Sequence, residues 1–299
     1  MQHITIIGHT AIDYLMRVDE FPAPNSSVPV RECVRAYGGG AANICTGIAK
    51  LGGRCTLRSA VGRDFVHSDY MRHLEHLGIG LELHVSEQPT SRAYVMTDES
   101  GDQMTFFYWG ASSEFEHMVP KPSAAIHMAT GHPMYNARAA QMAEFASFDP
   151  GQDIVNYDAE MLDAVLSSCQ MLICNRHEME RILSMLSTTI DELLERLHAI
   201  IVTMDRDGSM VHTDGSSVHV PAVRTRVIDP TGAGDGYRSG LFTALQRGYD
   251  LVSAAKVGST VASFVIEGWG AQSNQPTWDR MMDRLVSVYG RLPEPPGSA

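Results

Sequence analysis

The chain has 299 residues, of which 44% are hydrophobic and 19% are charged, a balance typical of a globular protein with one large or two small domains. The formal net charge of −12 argues against nucleic acid or an anionic membrane as a partner. Because the sequence contains no run of about 18 apolar residues, we expect no membrane-spanning segment.

The cysteines and the N-terminal segment bear on the cellular compartment. The five cysteines form no CxxC pair and most lie in apolar segments, which is typical of reduced core residues. The N-terminal segment has no basic region followed by a long apolar run, so we expect no signal peptide. Both observations predict a cytoplasmic protein.

The first predicted element is a strand. Residues 3–8 form a short apolar run that ends in Gly8, as expected of a buried strand in a parallel sheet. Ligands of α/β proteins bind just beyond the carboxyl ends of such strands, so the nearby Asp13 is a candidate ligand-binding carboxylate. An Asp that caps a turn is the alternative.

Residues 14–37 and 89–111 have a different pattern, since each segment contains two strand-like runs around a turn. The predicted strands cover residues 17–21, 28–37, 92–98 and 104–110. Strands inserted between a core strand and a helix indicate a flap rather than another βαβ unit, so we expect a small sheet. A pair of decorative hairpins is the alternative.

Aromatic side chains crowd the last of these strands. Alternation puts Phe106 and Tyr108 on one face and Phe107 and Trp109 on the other. One face of a thin lid could stack on a planar base. Cross-strand packing or a dimer contact would explain the same residues.

Two glycine-rich turns precede predicted helices. The first leads through Gly39 and Gly40 to Asn43. The glycines allow the chain to pass close to a substrate, and the Asn43 amide can both donate to and accept from hydroxyl groups. Turns of this kind are common before helices, so this turn alone is a weak signal.

The second turn contains Gly232, Ala233 and Gly234 and runs directly into a helix pattern at Asp235. At a helix start these backbone N–H groups are unpaired and the helix dipole adds partial positive charge, so the site suits phosphate. A carboxylate beside phosphate is repelled, which makes Asp235 a candidate base for an alcohol nucleophile. A helix N-cap is the alternative.

In this order, the two motifs resemble the signatures of the ribokinase-like (PfkB) family of sugar and nucleoside kinases. The first is Gly-Gly-x-x-x-Asn at residues 38–43, and the second is Asp-Pro-Thr-Gly-Ala-Gly-Asp at residues 229–235. The resemblance covers nearly the whole chain. It implies a three-layer α/β fold, with a mostly parallel central sheet flanked by helices and a small β-sheet lid.

The inserted segments set the expected domain limits. The α/β kinase domain is expected to comprise residues 1–13, 38–88 and 112–290. The β-lid is expected to comprise residues 14–37 and 89–111. Residues 291–299 are rich in Pro, Gly and Ser and are expected to form a flexible tail.

The resemblance also implies roles for individual residues. Gly232, Ala233 and Gly234 would form an anion hole for the transferred phosphoryl group, and Asp235 would deprotonate the acceptor hydroxyl. The residues expected to bind the acceptor are Asp13, Gly39, Gly40, Asn43 and Gln152. The residues expected to bind the nucleotide are Asn175, Thr203, Gly208, Thr231, Gly232 and Gly234.

Glu178 follows Asn175 by three positions, as in the Asn-x-x-Glu motif of the family. The resemblance implies that Glu178 holds Mg²⁺ through water beside the phosphates of ATP, as suits a hard oxygen ligand. Asn followed by Glu at this spacing is also a common capping pair at helix starts, which is the alternative. The sequence leaves open whether a monovalent cation is needed as well.

The chain departs from the family pattern at Asp205, where a Gly is usual in the loop that touches the nucleotide. This change adds negative charge near the phosphates, so either Arg206 compensates for it or the loop lies further away. The departure bears on the affinity and choice of the phosphoryl donor rather than on the fold.

We therefore expect an enzyme that transfers the γ-phosphoryl group of ATP to the primary hydroxyl of a nucleoside. The segments GHTAIDY, AANI and GHPMYN are similar to archaeal nucleoside kinases of the family, whereas a free sugar is the alternative acceptor. Candidate contacts for a base are Tyr14, Phe106 and Gln152. In the family the lid is often the dimer contact, so a homodimer through the lid is expected.

Two functions from other classes stay open. A nucleotide-binding regulator without catalysis is favoured slightly by Asp205, but the intact Asp235 and Glu178 oppose it. A dinucleotide-dependent dehydrogenase would need a GxGxxG turn after the first strand, and none follows Gly8.

Overall fold

The computed structural model describes residues 1–295, which contain thirteen β-strands and nine α-helices. The strands are β1 Ile4–Ile7, β2 Ala11–Arg17, β3 Glu32–Gly38, β4 Cys55–Gly62, β5 Gly80–Ser86, β6 Ser91–Thr97, β7 Gln103–Tyr108, β8 Ser123–Met128, β9 Ala143–Phe148, β10 Met171–Asn175, β11 Ala199–Thr203, β12 Ser209–Thr213 and β13 Ser216–Val220. The helices are α1 Gly40–Lys50, α2 Asp69–His76, α3 Pro133–Ala140, α4 Ala159–Leu166, α5 Arg176–Leu186, α6 Ile190–Leu194, α7 Ala233–Gln246, α8 Leu251–Val265 and α9 Trp278–Tyr289.

Nine strands form the central sheet, in the order β13-β12-β11-β10-β9-β8-β1-β4-β5. Its pairs are parallel, apart from the two that β12 makes with β11 and β13. Parallel strands covered on both faces have continuous apolar sequences, and all four residues of β1 are buried. The expected mostly parallel sheet is confirmed.

Helices cover both faces of this sheet. The neighbouring residues Ile6 and Ile7 point to opposite faces and join two different apolar clusters. The cluster around Ile6 includes residues of α1, α2, α7, α8 and α9. The cluster around Ile7 includes residues of α3, α4, α5 and α6. The expected three-layer arrangement is therefore confirmed.

The remaining four strands form a separate sheet in the order β3-β2-β6-β7, which we call the lid. Strand β2 is antiparallel to β3 and parallel to β6, with register maintained from Ala11 to Arg17. The prediction of a small separate sheet is confirmed, although β2 begins at Ala11, three residues before the first predicted lid segment.

The predicted position of the first lid strand is wrong. Residues 17–21 were expected to form it, but the strand ends at Arg17 and residues 18–31 contain no strand. Pro22, Pro24 and Pro29 lie in this stretch, and proline cannot donate to a strand ladder. Asp13 consequently lies inside the lid sheet rather than in the connection that precedes it.

Several smaller expectations can be compared with the structure. Four of the five free cysteines are buried, whereas Cys33 is exposed on β3, so the expected core location is wrong for Cys33. Residues 291–295 form neither helix nor strand, and the rest of the predicted tail lies outside the described residues. No helix within residues 1–295 combines the length and the apolar character needed to cross a membrane.

Candidate active site

The candidate site lies at the carboxyl ends of the central strands, where α/β folds bind ligands. Gly8, Thr130 and Asp149 follow β1, β8 and β9. Asn175 and Thr203 are the last residues of β10 and β11. The order of these strands in the sheet brings five chain segments to one edge of the domain.

The turn before α7 has the geometry of an anion-binding loop. Gly232 is the N-cap and has a φ of 79°, and a Cβ there would lie 2.3 Å from the Cβ of Ala271, so only glycine fits. The backbone amides of Gly234 and Asp235 have no acceptor among the described residues. They are thus available to an anion at the positive end of a 14-residue helix.

The backbone amide of Ala233 is not available to an anion, contrary to its predicted role in the anion hole. Its N–H donates to the Pro230 carbonyl at 3.2 Å and closes the turn, so it is not a free donor. The predicted donors Gly232 and Gly234 keep free amides among the described residues, and the amide of Asp235 is a further free donor that was not predicted.

Asn43 and Asp235 meet where α1 and α7 begin. Asn43 Nδ2 donates to Asp235 Oδ2 at 2.8 Å, and Asn43 is only 4% exposed. A Cβ on Gly40 would lie 3.5 Å from Asp235 Oδ1, so this glycine allows the two helix starts to approach each other. Burial raises the pKa of Asp235 to about 6, although the hydrogen bond from Asn43 opposes the rise.

Gln272 orients the Asn43 amide. Its Nε2 donates to Asn43 Oδ1 at 2.8 Å and to the Tyr70 hydroxyl at 2.8 Å. Asn43 Oδ1 is thus the acceptor, which leaves Nδ2 to face Asp235. Gln272 carries no local sequence signal, since it lies in an irregular segment far along the chain.

Asp13 lies on the inner face of the lid, opposite these helix starts. It is 6% exposed, and its Oδ1 has no hydrogen-bond partner among residues 1–295. A Cβ on Gly38 would lie 1.9 Å from Asp13 Oδ2, so the glycine provides the space that the carboxylate occupies. Burial, and then the charge of Asp235, raise the pKa of Asp13 to about 7.

A buried ion pair lies beneath the anion-binding turn. Arg238 Nε is 2.5 Å from Asp149 Oδ2, and both side chains are almost fully buried. A Cβ on Gly234 would lie 2.6 Å from Arg238 Nη1, so the guanidinium passes directly under the turn. Asp149, which follows β9, is therefore held by Arg238. An arginine among the small and apolar residues of α7 is the sequence feature that could have indicated a buried ion pair.

Asn175 and Glu178 form the capping pair that was the alternative interpretation. Asn175 N and Nδ2 each donate to Glu178 at 2.7 Å, and Glu178 N donates to Asn175 Oδ1 at 2.9 Å. Burial and the charge of Asp149 raise the pKa of Glu178 to about 7. Carboxylate oxygens have further lone pairs, so capping does not prevent contact with metal-bound water.

The residues present fit a hydrated magnesium ion better than an enclosed one. Within residues 1–295, no group of three or more His, Cys, Asp and Glu side chains converges as a metal cluster. A metal near Glu178 would take its other ligands from water and phosphate oxygens, which is the usual coordination of Mg²⁺.

A cleft of about 910 Å³ adjoins the anion-binding turn. It brings together three of the predicted nucleotide-binding residues, Thr203, Gly208 and Gly234. Other lining residues include Arg176, Arg206, Arg224, Tyr237, Ser259 and Ala262. The mixture of cationic and small side chains suits a phosphorylated ligand with a flat group.

Asp205 and Arg206 both line this cleft, so the loop does not lie further away. Asp205 has a φ of 50°, in the left-handed region that favours glycine but that Asp tolerates. The structure thus explains why glycine is usual at this position, and it leaves Arg206 beside the added charge.

Thr231 is contacted by the lid. Gln103 Nε2, at the start of β7, lies 3.3 Å from Thr231 Oγ1 and 3.3 Å from Asp229 Oδ1. Asp229 also accepts from the amides of Thr231 and Gly270. The lid and the turn before α7 are therefore joined through Asp229.

The remaining acceptor residue, Gln152, is exposed and has no side-chain hydrogen bond among the described residues. Its neighbour Asp153 instead accepts from His9 Nε2 at 3.0 Å. Gly39 is the N-cap of α1 with a φ of 92°, and a Cβ there would lie 2.5 Å from the His9 carbonyl oxygen. The role of Gln152 stays a prediction.

Comparison with known proteins agrees with the fold and the motifs. The profile of the pfkB family carbohydrate kinases matches residues 1–278. The nucleoside kinase of Methanocaldococcus jannaschii is 42% identical over 293 residues, which cover 95% of this chain and 97% of that protein.

Two solved structures are also similar. The crystal structure of the M. jannaschii nucleoside kinase, an archaeal member of the ribokinase family, has a TM-score of 0.92 at 41% identity and covers 96% of this chain and 99% of its own. A nucleoside kinase from Burkholderia thailandensis in complex with inosine has a TM-score of 0.86 at 25% identity. The match covers 97% of this chain and 99% of that chain. The predicted family is confirmed: the chain belongs to the pfkB family of carbohydrate kinases.

Proposed function

We propose that this protein transfers the γ-phosphoryl group of ATP to the primary hydroxyl of a nucleoside. The observation that carries the proposal is the position of Asp235, which lies at the anion-binding turn and is held by Asn43 at 2.8 Å. Asp13 faces the same region from the lid with an unpaired oxygen. One carboxylate can activate an alcohol while the other binds neighbouring hydroxyl groups.

In this mechanism Asp235 accepts the proton of the attacking hydroxyl. Its pKa of about 6 leaves it ionised at neutral pH and still basic enough to take the proton. The amides of Gly234 and Asp235 donate to the oxygens of the transferred group, whose charge is spread over those atoms. The buried Arg238 adds positive charge below the turn.

The donor nucleotide occupies the 910 Å³ cleft, with its phosphates toward Gly234. We assign Asn175, Thr203, Gly208, Thr231 and Gly232 to its binding, and Glu178 to Mg²⁺ through water. Bound Mg²⁺ would offset the negative charge of the phosphates during transfer. We also assign Gly39, Gly40 and Asn43 to acceptor binding, because they lie at the start of α1 beside Asp235.

The acceptor class is supported by similarity. The M. jannaschii relative is a nucleoside kinase, and the B. thailandensis neighbour is a nucleoside kinase in complex with inosine. A free sugar is the second candidate, since ribokinases are also among the similar proteins. The cytoplasmic location stays a prediction.

A coupled assay of ADP release over nucleosides and free sugars tests the proposal. We expect turnover with at least one nucleoside and a rate that rises with pH through about 6, as Asp235 loses its proton. Turnover of a free sugar with no nucleoside would contradict the acceptor class. Binding of ATP with no turnover on any acceptor would favour the non-catalytic regulator.

We also propose self-association through the outer face of the lid. Met104, Phe106 and Tyr108 are 41%, 56% and 44% exposed on one face of β7, and the stacked Tyr14 and Tyr94 continue that face. An apolar patch of this kind on a sheet marks an interaction surface. Sedimentation should show a dimer that dissociates in Phe106→Glu; a monomeric wild type would contradict this proposal.

A further inference from the structure

The inner face of the lid presents a row of side chains that begins at Asp13. In the register of the sheet, Asp13 on β2 pairs with Ala93 on β6, which pairs with Phe107 on β7. Paired residues point to the same face, so Phe107 lies on the side of Asp13, two strand spacings or about 10 Å away. Phe106 and Tyr14 point to the opposite face.

This arrangement corrects the sequence-based candidates for a base contact. Tyr14 and Phe106 were expected, but they lie on the outer face with Tyr94. Phe107 is the half-buried aromatic residue that shares a face with the carboxylate. Between them, Ala93 is buried in the small apolar cluster that Phe107 also contacts.

His9 lies next to Phe107, at the end of the row opposite Asp13. Its imidazole is 3% exposed and lies 4.8 Å from the Phe107 ring and 4.9 Å from the Trp109 ring, measured between centroids. Its Nε2 is 3.0 Å from Asp153 Oδ2. Its Nδ1 is buried and has no hydrogen-bond partner within residues 1–295.

The contact with Asp153 determines what His9 can offer a ligand. Carboxylate oxygens only accept, so the proton of the neutral ring is on Nε2 and Nδ1 is left as an acceptor. A buried acceptor without a donor is destabilising, and neither the Phe107 ring nor the Trp109 indole forms a hydrogen bond to Nδ1 within residues 1–295. The site therefore suits a flat group that carries an N–H on its edge.

We propose that Phe107 and His9 form the nucleobase end of the acceptor site, where Phe107 packs against the base and His9 Nδ1 accepts a hydrogen bond from a base N–H. This inference rests on the proposed function. The spacing from Asp13 to Phe107 suits a nucleoside, whose ribose hydroxyls and base lie on different sides of the sugar ring. Asp153 acts as a positioning residue, because it sets the tautomer of His9.

The test compares two nucleosides with the same ribose and purine ring system. Inosine carries N1–H and a carbonyl oxygen at C6, whereas purine riboside has neither, and of these two groups only the N–H can donate to His9 Nδ1. In the wild type, kcat/KM should be about tenfold higher for inosine, the value of one good hydrogen bond. The His9→Phe variant keeps a flat ring but removes the acceptor, so this preference should disappear. The value of kcat/KM should fall less for purine riboside than for inosine.

Two results would overturn the inference while leaving the proposed function intact. One is a wild type that uses inosine and purine riboside equally well. The other is a His9→Phe variant that loses the same factor for both nucleosides. Phosphorylation of free ribose with no nucleoside would instead remove the proposed function itself.

A second variant covers the case in which His9→Phe does not fold. Phe107→Leu keeps an apolar side chain and should raise the calorimetric Kd for inosine, with no change in the affinity for ATP. An unchanged Kd for inosine would contradict the assignment of Phe107. This readout is independent of turnover.

Discussion

The two ends of the proposed acceptor site are built from different parts of the fold. The end that holds Asp235 is formed by the starts of α1 and α7 in the main domain, where Gln272, Asn43 and Asp235 make a chain of hydrogen bonds. The end that holds Asp13 is carried by the lid. The lid rests on the main domain through the Gln103 contacts and a small apolar cluster with Trp269.

This difference indicates a division of tasks. The groups that act on the transferred phosphoryl are fixed by helices packed into the main core. Asp13 and Phe107, which would contact the acceptor, lie on an appended sheet with a small apolar cluster of its own, and His9 contacts Phe107 from the main domain. Substitutions at the first end should therefore change mainly kcat, and substitutions at the second end should change mainly KM.

The largest effect is expected for Asp235→Asn. The amide cannot take the proton of the acceptor hydroxyl, so kcat should fall by about 10²–10⁴-fold. Folding and nucleotide binding should persist, because Asn is nearly isosteric and the Asn43 contact can be kept. Steady-state rates combined with calorimetric ATP binding measure this. Activity at the level of the wild type would show that another group is the base.

Arg238→Met should mainly affect stability at the same end. The substitution leaves Asp149 buried without its partner, and breaking such a pair costs about 3–5 kcal/mol in the free energy of unfolding. Denaturant unfolding checks the value. The matched control is the double variant Arg238→Met, Asp149→Leu, which should recover most of the loss; no recovery would mean that Arg238 acts through other contacts.

Asp13→Asn tests the lid end. Hydrogen bonds to a charged group are worth about 1.5–3 kcal/mol, so kcat/KM for a nucleoside should fall by about 10–100-fold, chiefly through KM. Binding of ATP alone should not change. A loss confined to kcat would contradict the assignment of Asp13 to acceptor binding.

The stability of the ligand-free protein should depend on pH through Asp13. Its pKa rises from 3.8 to about 7 on folding, so the folded state holds more protons than the unfolded state between these values. The contribution of Asp13 to stability therefore falls as the pH rises through that window. The melting temperature should differ less between about pH 5 and about pH 8 in Asp13→Asn than in the wild type. An equal difference in the two proteins would show that Asp13 does not cause the pH dependence.

The smallest effect is expected for Gln103→Ala, which removes the contacts of the lid with Asp229 and Thr231. Loss of exposed hydrogen bonds should raise KM for the acceptor by only a few-fold, about the effect of 1 kcal/mol. The neighbouring Thr105→Ala is the matched control on the same strand and should change KM less.

The phosphate end of the site could be predicted from the sequence far better than the acceptor end. Gly232, Asn43 and Asp235 belong to two short motifs, and at Gly232 the φ of 79° imposes glycine locally. Short motifs of this kind are visible in one sequence. The parallel sheet followed similarly from continuous apolar strands such as β1.

The rest depends on long-range pairing that local patterns do not contain. Phe106 and Phe107 alternate equally well, and only the pairing of β7 with β6 decides which one faces Asp13. The Arg238–Asp149 pair and the Gln272–Asn43 contact join residues far apart in the chain. The first lid strand was misplaced because Arg17 to Phe21 leads into prolines, which have no N–H to donate to a strand ladder.

A crystal structure with inosine and a non-hydrolysable ATP analogue tests the central claim most directly. The account predicts that the primary hydroxyl oxygen of the ribose lies within about 2.6–3.2 Å of an Asp235 carboxylate oxygen. The other ribose hydroxyls should contact Asp13. A nucleoside bound with its base against Asp235, and with its primary hydroxyl beyond the reach of that carboxylate, would contradict the account.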